Sequence, residues 1–180
     1  MRDFVLKGSI IFVILMIFVI CLSGVSAEDE DLQVLTLSHD GISFDYPSDW
    51  QSSRSTSNYS VMAIAKKSSV DSFGIAGVTI NVEKQPLQGD FATFVNDSYK
   101  KMQTDSNFEL VSSGRSVVSN HDAIEYVYTS VDNNNNQKEH KAVWFEKGGQ
   151  AYVMMYSAPL DSFETNLYVF DYILSTVHIS

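Results

Sequence analysis

Cysteine is almost missing from this 180-residue chain: there is one, Cys21, and it lies inside an apolar N-terminal stretch. With no second cysteine there is no internal disulfide, so stability has to come from core packing. Basic residues are scarce too. Twelve Lys and Arg stand against 22 Asp and Glu, a net charge of −10. Nucleic acid and anionic lipid headgroups are both recognised by clustered Lys and Arg, so neither is an expected partner of the domain. Also missing are a Gly-rich phosphate loop, a Gly-x-Ser-x-Gly nucleophile elbow and any His or Cys pair at metal-ligand spacing. No cofactor is expected, and the acid excess reads as a solubilising surface.

What is present begins with an export signal. Arg2 and Lys7 charge the start of the chain, and every residue from Ile10 to Leu22 is apolar. Small residues follow, ending in Val25-Ser26-Ala27, and then the acids Glu28 to Asp31. This order is that of a signal peptide cleaved between Ala27 and Glu28. An uncleaved anchor is an alternative, since Val5 to about Val25 reaches the roughly 20 residues of a spanning helix. A lipid-modified Cys21 is another. All three readings place the remaining domain outside the cytoplasm. The organisation expected is residues 1–27 as signal peptide or membrane anchor, 28–31 as an acidic tether and 32–180 as the domain. Cleavage removes two basic residues and one acid, leaving a net charge of −11.

Hydrophobic residues make up 44% of the chain and charged ones 19%, the balance of a chain that buries a core. Two-residue alternation marks strands at 34–38, 42–46 and 59–65. Gln51 to Asn58 reads as a polar loop. Ile75 to Glu83 reads as a strand with Ala76, Val78, Ile80 and Val82 on one face, while Thr79, Asn81 and Glu83 make the other face wet. Asp90 caps a helix whose buried stripe is Phe91, Phe94, Val95, Tyr99 and Met102. Short strands at 108–112 and 115–119 are expected around Ser113-Gly114, followed by strands at 123–131, 139–147 and 150–157. Asn120-His121 and Gly148-Gly149 read as turns, and Asp132 to Asn136 as a hairpin tip. A last helix starts near Asp161, where Asp161 and Glu164 form a capping box, and buries Phe163, Leu167, Phe170, Ile173, Leu174 and Val177. Strands apolar on both faces need cover on both sides, and there are two amphipathic helices. The fold class expected is α+β: a three-layer α/β/α sandwich around an antiparallel sheet of six to eight strands.

The segment Gly41-Ile-Ser-Phe-Asp-Tyr-Pro-Ser-Asp-Trp50 resembles the opening of PsbP-like domains. Tyr152-Val-Met-Met-Tyr-Ser-Ala-Pro159, with Phe163 and Tyr168-Val-Phe-Asp-Tyr-Ile-Leu-Ser175, resembles their last strand and C-terminal helix. The resemblance runs over most of residues 32–178. It implies the same sandwich and an extracytoplasmic setting. The family's best-known members are lumenal subunits of the oxygen-evolving photosystem, whose basic N-terminal region has no counterpart here.

Candidate site residues are few. His39-Asp40 and His121-Asp122 read as turn residues, and His140 and His178 as solvated. Trp50, Trp144 and Tyr152 are either core residues or ligand contacts in a groove shared with Tyr126, Tyr128 and Tyr156. Asn58-Tyr59-Ser60 and Asn96-Asp97-Ser98 are glycosylation sequons. The reading that results is an exported, non-enzymatic binding or accessory module at the outer cell surface, acting through a protein partner. It touches the membrane through the N-terminal segment if that is uncleaved. A carrier of a small ligand or cation in a sheet–helix pocket is the alternative, and a hydrolase assembled from Ser, His and carboxylate distant in sequence is the third.

Overall fold

Apolar residues set the strand faces, and tight turns join the strands into meanders. The computed structural model describes residues 33–55, 57–132 and 135–180, so the expected signal segment and acidic tether, Cys21 and the expected cleavage point between Ala27 and Glu28 lie outside the described residues. The elements are β1 (Val34–His39), β2 (Ile42–Pro47), β3 (Trp50–Ser52), β4 (Ser60–Lys66), β5 (Thr79–Pro86), α1 (Phe91–Met102), β6 (Glu109–Val118), β7 (His121–Val131), β8 (Gln137–Lys147), β9 (Gln150–Pro159), α2 (Phe163–Thr176) and β10 (His178–Ile179). One sheet has seven strands in the order β3-β4-β5-β9-β8-β7-β6, and β1-β2-β10 form a second sheet of three. Every pairing is antiparallel.

Three hairpins close on two-residue turns with positive φ at both central positions: Asp40-Gly41, Ser119-Asn120 and Gly148-Gly149. That is the primed turn whose twist matches the strands it joins. At Gly148 and Gly149, with φ of 59° and 73°, glycine adopts the left-handed region at no steric cost.

The seven-stranded sheet carries a core on each face. On one face α2 and the small sheet cover a cluster built from Ile42, Phe44, Trp50, Ile80, Phe145, Tyr152, Met154, Tyr156, Phe163, Phe170 and Ile173. Burying each of these phenylalanines contributes roughly 2–3 kcal/mol relative to leaving it in water. The Tyr156 hydroxyl donates to the Phe163 carbonyl at 2.8 Å, so its polar end is satisfied. On the other face α1 sets Val95 and Tyr99 against Tyr128, Ala142, Trp144 and Val153, with Phe91, Phe94 and Met102 at the margin. The stripe read from the helical spacing is the one buried. Asp90 accepts from the Thr93 N–H at 2.9 Å and caps α1 as expected.

Four local readings are corrected. Gln51 and Ser52 belong to β3, which pairs with Ala65 and Ile64 of β4, so the polar loop starts later. β5 begins at Thr79, because residues 70–77 form a separate tight loop. β6 runs unbroken through Ser113-Gly114, with a bulge between Leu110 and Ser112 instead of a turn. The capping box does not form: Ser162 is the cap residue of α2, and its hydroxyl donates back to the Pro159 carbonyl. Glu164 stays in the first turn, where the positive helix end favours it.

Candidate binding surface

α1 leaves part of its side of the sheet open. The register across the open rows runs Ala63–Asn81–Met155–Ala142 and Ala65–Thr79–Ser157–His140. Neighbouring residues in a row point the same way, so a polar shelf adjoins the aromatic cluster under α1. Ala63, Thr79, Asn81 and Met155 of the shelf line an open cleft of about 470 Å³, together with Arg54, Ser57, Ile75 and Glu83.

The polar groups of the shelf are tied together. The Ser60 hydroxyl donates to Asn81 Oδ1 at 2.6 Å, and Asn81 Nδ2 donates to Glu83 Oε1 at 3.0 Å. Asn81 is only 7% exposed, so this chain is what satisfies its amide. The Tyr128 hydroxyl donates to the Met155 sulfur at 3.4 Å. Burial, and then the Glu83 charge, raise the Tyr128 phenol well above its ordinary range, keeping it protonated. His140 stacks on the Tyr128 ring with centroids 4.8 Å apart. Its Nε2 lies 2.9 Å from the Ser130 hydroxyl and its Nδ1 lies 2.7 Å from the Ser157 hydroxyl. Burial, followed by the nearby Lys138 charge, pushes the imidazole down to about 4. His140 is therefore a neutral, bonded side chain in the row beside the cleft, which corrects the solvated reading. Hydroxyls occupy both ring nitrogens, so no carboxylate orients the ring as in a Ser-His-Asp relay.

One wall of the cleft is a loop braced by its own hydrogen bonds. Asp71 Oδ1 accepts from the Phe73 N–H at 2.9 Å and from the Ile75 N–H at 2.8 Å. The Asp71 N–H donates to the Ile75 carbonyl, and the Gly74 N–H donates back to the Asp71 carbonyl. Val70 bridges Ala76, and the Gly77 N–H donates to the Ser69 carbonyl. At the tip of this braced loop Phe73 is 86% exposed, and Ile75 beside it is 57% exposed. An isolated apolar side chain at a surface is ordinary. A phenylalanine held out on a loop whose backbone bonds are already made is less so, because the ordering that binding requires is complete before a partner arrives.

The residues singled out in the sequence divide between the two faces of the sheet. Trp50 and Tyr152 lie in the core beneath α2, 1% and 5% exposed, with Tyr152 stacked on Phe145. Trp144 lies on the opposite face and donates from its indole N–H to the Tyr99 hydroxyl at 3.2 Å. Side chains of the two clusters fill the space beneath α1 and α2, and none of these three residues lines the cleft over β4 and β5. Asn58 is exposed in the turn before β4, and Asn96 is exposed on α1. His39, His121 and His178 do not join a metal-binding group among the described residues. Phe73, Asp71 and the Asn81–Glu83 pair were not singled out. The available signals were a phenylalanine inside an Asp-Ser-Gly turn segment and the polar alternation of β5.

The family model described as PsbP-like protein matches residues 22–177. The chain belongs to the PsbP-like family. Solved structures share the fold of this PsbP-like chain. The solution structure of cyanobacterial PsbP (CyanoP) from Synechocystis sp. PCC 6803 aligns with a TM-score of 0.59 at 16% identity, covering 88% of this chain and 99% of that one. LpqN of Mycobacterium tuberculosis, described as involved in cell envelope biogenesis, aligns with a TM-score of 0.58 at 16% identity, covering 84% of this chain and 93% of that one. At this identity the likeness is one of fold, and it matches the α+β architecture described above. No curated protein matches the chain in sequence.

Proposed function

We propose that this PsbP-like protein is an exported, non-enzymatic accessory module that acts through a protein partner at the outer face of the cell membrane. The braced loop that holds Phe73 at 86% exposure beside the polar cleft carries this reading. An apolar anchor next to a rim of hydrogen-bonding groups is the anatomy of a protein-binding patch. Export is supported by the apolar run Ile10 to Leu22 with its small-residue and acidic flank, and by the envelope role in the description of LpqN. The bonding of His140 to a serine at each ring nitrogen favours a structural polar cluster over a nucleophile–base pair.

The test is photo-crosslinking in intact cells, with a benzophenone amino acid at position 73 and, as control, at the exposed Tyr168. The expected result is a discrete adduct from position 73 that position 168 does not give. Burying one phenylalanine is worth roughly 2–3 kcal/mol, so Phe73→Ala should weaken the captured complex about 30- to 150-fold. No adduct at position 73, or the same adducts from both positions, refutes the reading. The second reading, a carrier of a small polar ligand, rests on the Asn81–Glu83 pair in the open cleft. Retention of a small molecule by the purified chain, lost in Glu83→Gln and kept in Phe73→Ala, would favour it.

A further inference from the structure

The seven-stranded sheet ends differently on its two sides. At one edge β3 is three residues long, and a short edge offers little for another chain to pair with. At the other edge β6 is ten residues long, and no further strand pairs with it among the described residues. The usual blockers of an open edge are sparse: Leu110 to Val118 contains no proline and no lysine, and Arg115 is its one charge. The bulge between Leu110 and Ser112 touches only one end of the strand. Leu110, Val111 and Val117 are 42%, 55% and 66% exposed.

The sequence of this edge is close to its own reverse. Counted outward from Gly114, Ser113 faces Arg115, Ser112 faces Ser116, Val111 faces Val117 and Leu110 faces Val118. Apolar residues oppose apolar ones, and serine opposes serine. A two-fold interface requires this self-complementarity, since the same patch serves both sides. Neither backbone angle nor packing within the chain calls for glycine at 114. Its φ is not in the left-handed region, and an added Cβ would meet nothing within 4 Å. A glycine inside a strand costs roughly 0.5–1 kcal/mol and commonly marks a close approach of another backbone.

We propose that two copies of this chain pair edge to edge through β6, antiparallel, with Gly114 on the two-fold axis. The two seven-stranded sheets then form one continuous sheet. The occupant is a second copy because the matching is internal to β6, and Glu109 and Arg115 leave the strand electrically neutral. About seven paired residues make a small interface, so the dimer is reversible and weak, with association at micromolar or higher concentration. Each chain carries a net charge of −10, so long-range repulsion opposes pairing and added salt strengthens it. The surface is separate from the Phe73 loop, which connects strands near the opposite edge.

The test uses the full-length chain with Cys21→Ser, so that introduced thiols are unique. In sedimentation experiments the chain should dimerise with concentration, more tightly at about 0.5 M than at about 0.05 M salt. Val117→Lys, at an exposed position, should weaken the dimer at least tenfold and leave the melting temperature unchanged. Under mild oxidation Gly114→Cys should give a disulfide-linked dimer. Val117→Cys alone should not, because the two thiols would stand about 20 Å apart at ~3.3 Å per residue. The proposal is overturned if the chain stays monomeric at every concentration, if Val117→Lys leaves the dimer intact, or if Val117→Cys cross-links as readily as Gly114→Cys.

Discussion

Acidification should destabilise this protein through His140. The folded imidazole is pushed from an ordinary 6.5 down to about 4, chiefly because burial between Tyr128 and the serine hydroxyls disfavours the charged ring. The unfolded chain then holds a proton that the folded chain lacks throughout the interval from about 6.5 down to 4. Stability therefore rises with pH across this window and is lost as pH falls through it. Each unit of displacement is worth about 1.36 kcal/mol, so the full loss is about 3 kcal/mol, of which about 2 kcal/mol falls between pH 7 and pH 5. Two exposed acids do not confuse the measurement. Asp40, held low first by its bond to Lys84, and Asp90, held low first by the Thr93 N–H, lose their contributions only below the ordinary carboxylate range. Glu139, raised by burial and then by Glu164, works in the opposite sense, because the folded state binds its proton more readily. The readout is thus the difference between the parent chain and His140→Gln, which cannot charge. Urea unfolding at pH 7, 6 and 5 should show the parent losing about 2 kcal/mol more than the variant. Equal slopes for the two proteins would refute the assignment of the pH dependence to this ring.

Three further outcomes follow from single contacts. Tyr99→Phe removes the acceptor of the Trp144 indole N–H and strands a buried donor, so urea unfolding should show a loss of about 1–3 kcal/mol with the fold kept. Asp90→Ala removes the cap bonded to the Thr93 backbone and hydroxyl, which should lower stability by about 1 kcal/mol, whereas Asp90→Asn should lose much less. Gly149→Ala forces a Cβ into φ of 73°, and should cost about 1 kcal/mol by thermal melting although nothing lies within 4 Å of the new methyl.

The sandwich was legible because its signals are local. The stripe from Phe91 to Met102 and the alternation along β2 each specify a face without reference to any other part of the chain. The two-faced apolar run Tyr152 to Tyr156 correctly implied a central strand, and β9 lies between β5 and β8. What was not legible depends on register. His140 shares a row with Ser157 and neighbours Ser130 only because β8 pairs with β7 and β9 in one alignment, and a slip of one residue would turn it to the other face. Trp50 and Tyr152 lie on one face and Trp144 on the other, a division that parity along the strands sets. Trp144 and Phe145 are adjacent on one strand and so face opposite ways, and Tyr152 is paired with Phe145. β3 was missed because three residues, two of them polar, are too few to show a period.

The open shelf follows from dimensions that the sequence does carry. Seven strands at about 4.8 Å spacing span about 29 Å. A twelve-residue helix is about 18 Å long and about 10 Å wide, so α1 falls short of that span however it lies. The opposite face meets the same span with α2 and a second sheet together, and there β4 and β5 turn Ile64, Ile80 and Val82 inward, each fully buried. On the α1 side no helix or further sheet among the described residues covers β4 and β5, and the residues facing that way are Ala63, Thr79, Asn81 and Glu83. An apolar set there would leave a large patch in water, while a set with unmade hydrogen bonds would be costly in a half-buried groove. The chain of bonds from Ser60 through Asn81 to Glu83 meets both conditions, so the polar half of the β5 alternation is the mark of the uncovered surface. The cleft is therefore where one helix runs out before the sheet does, and the braced Phe73 loop stands at its rim.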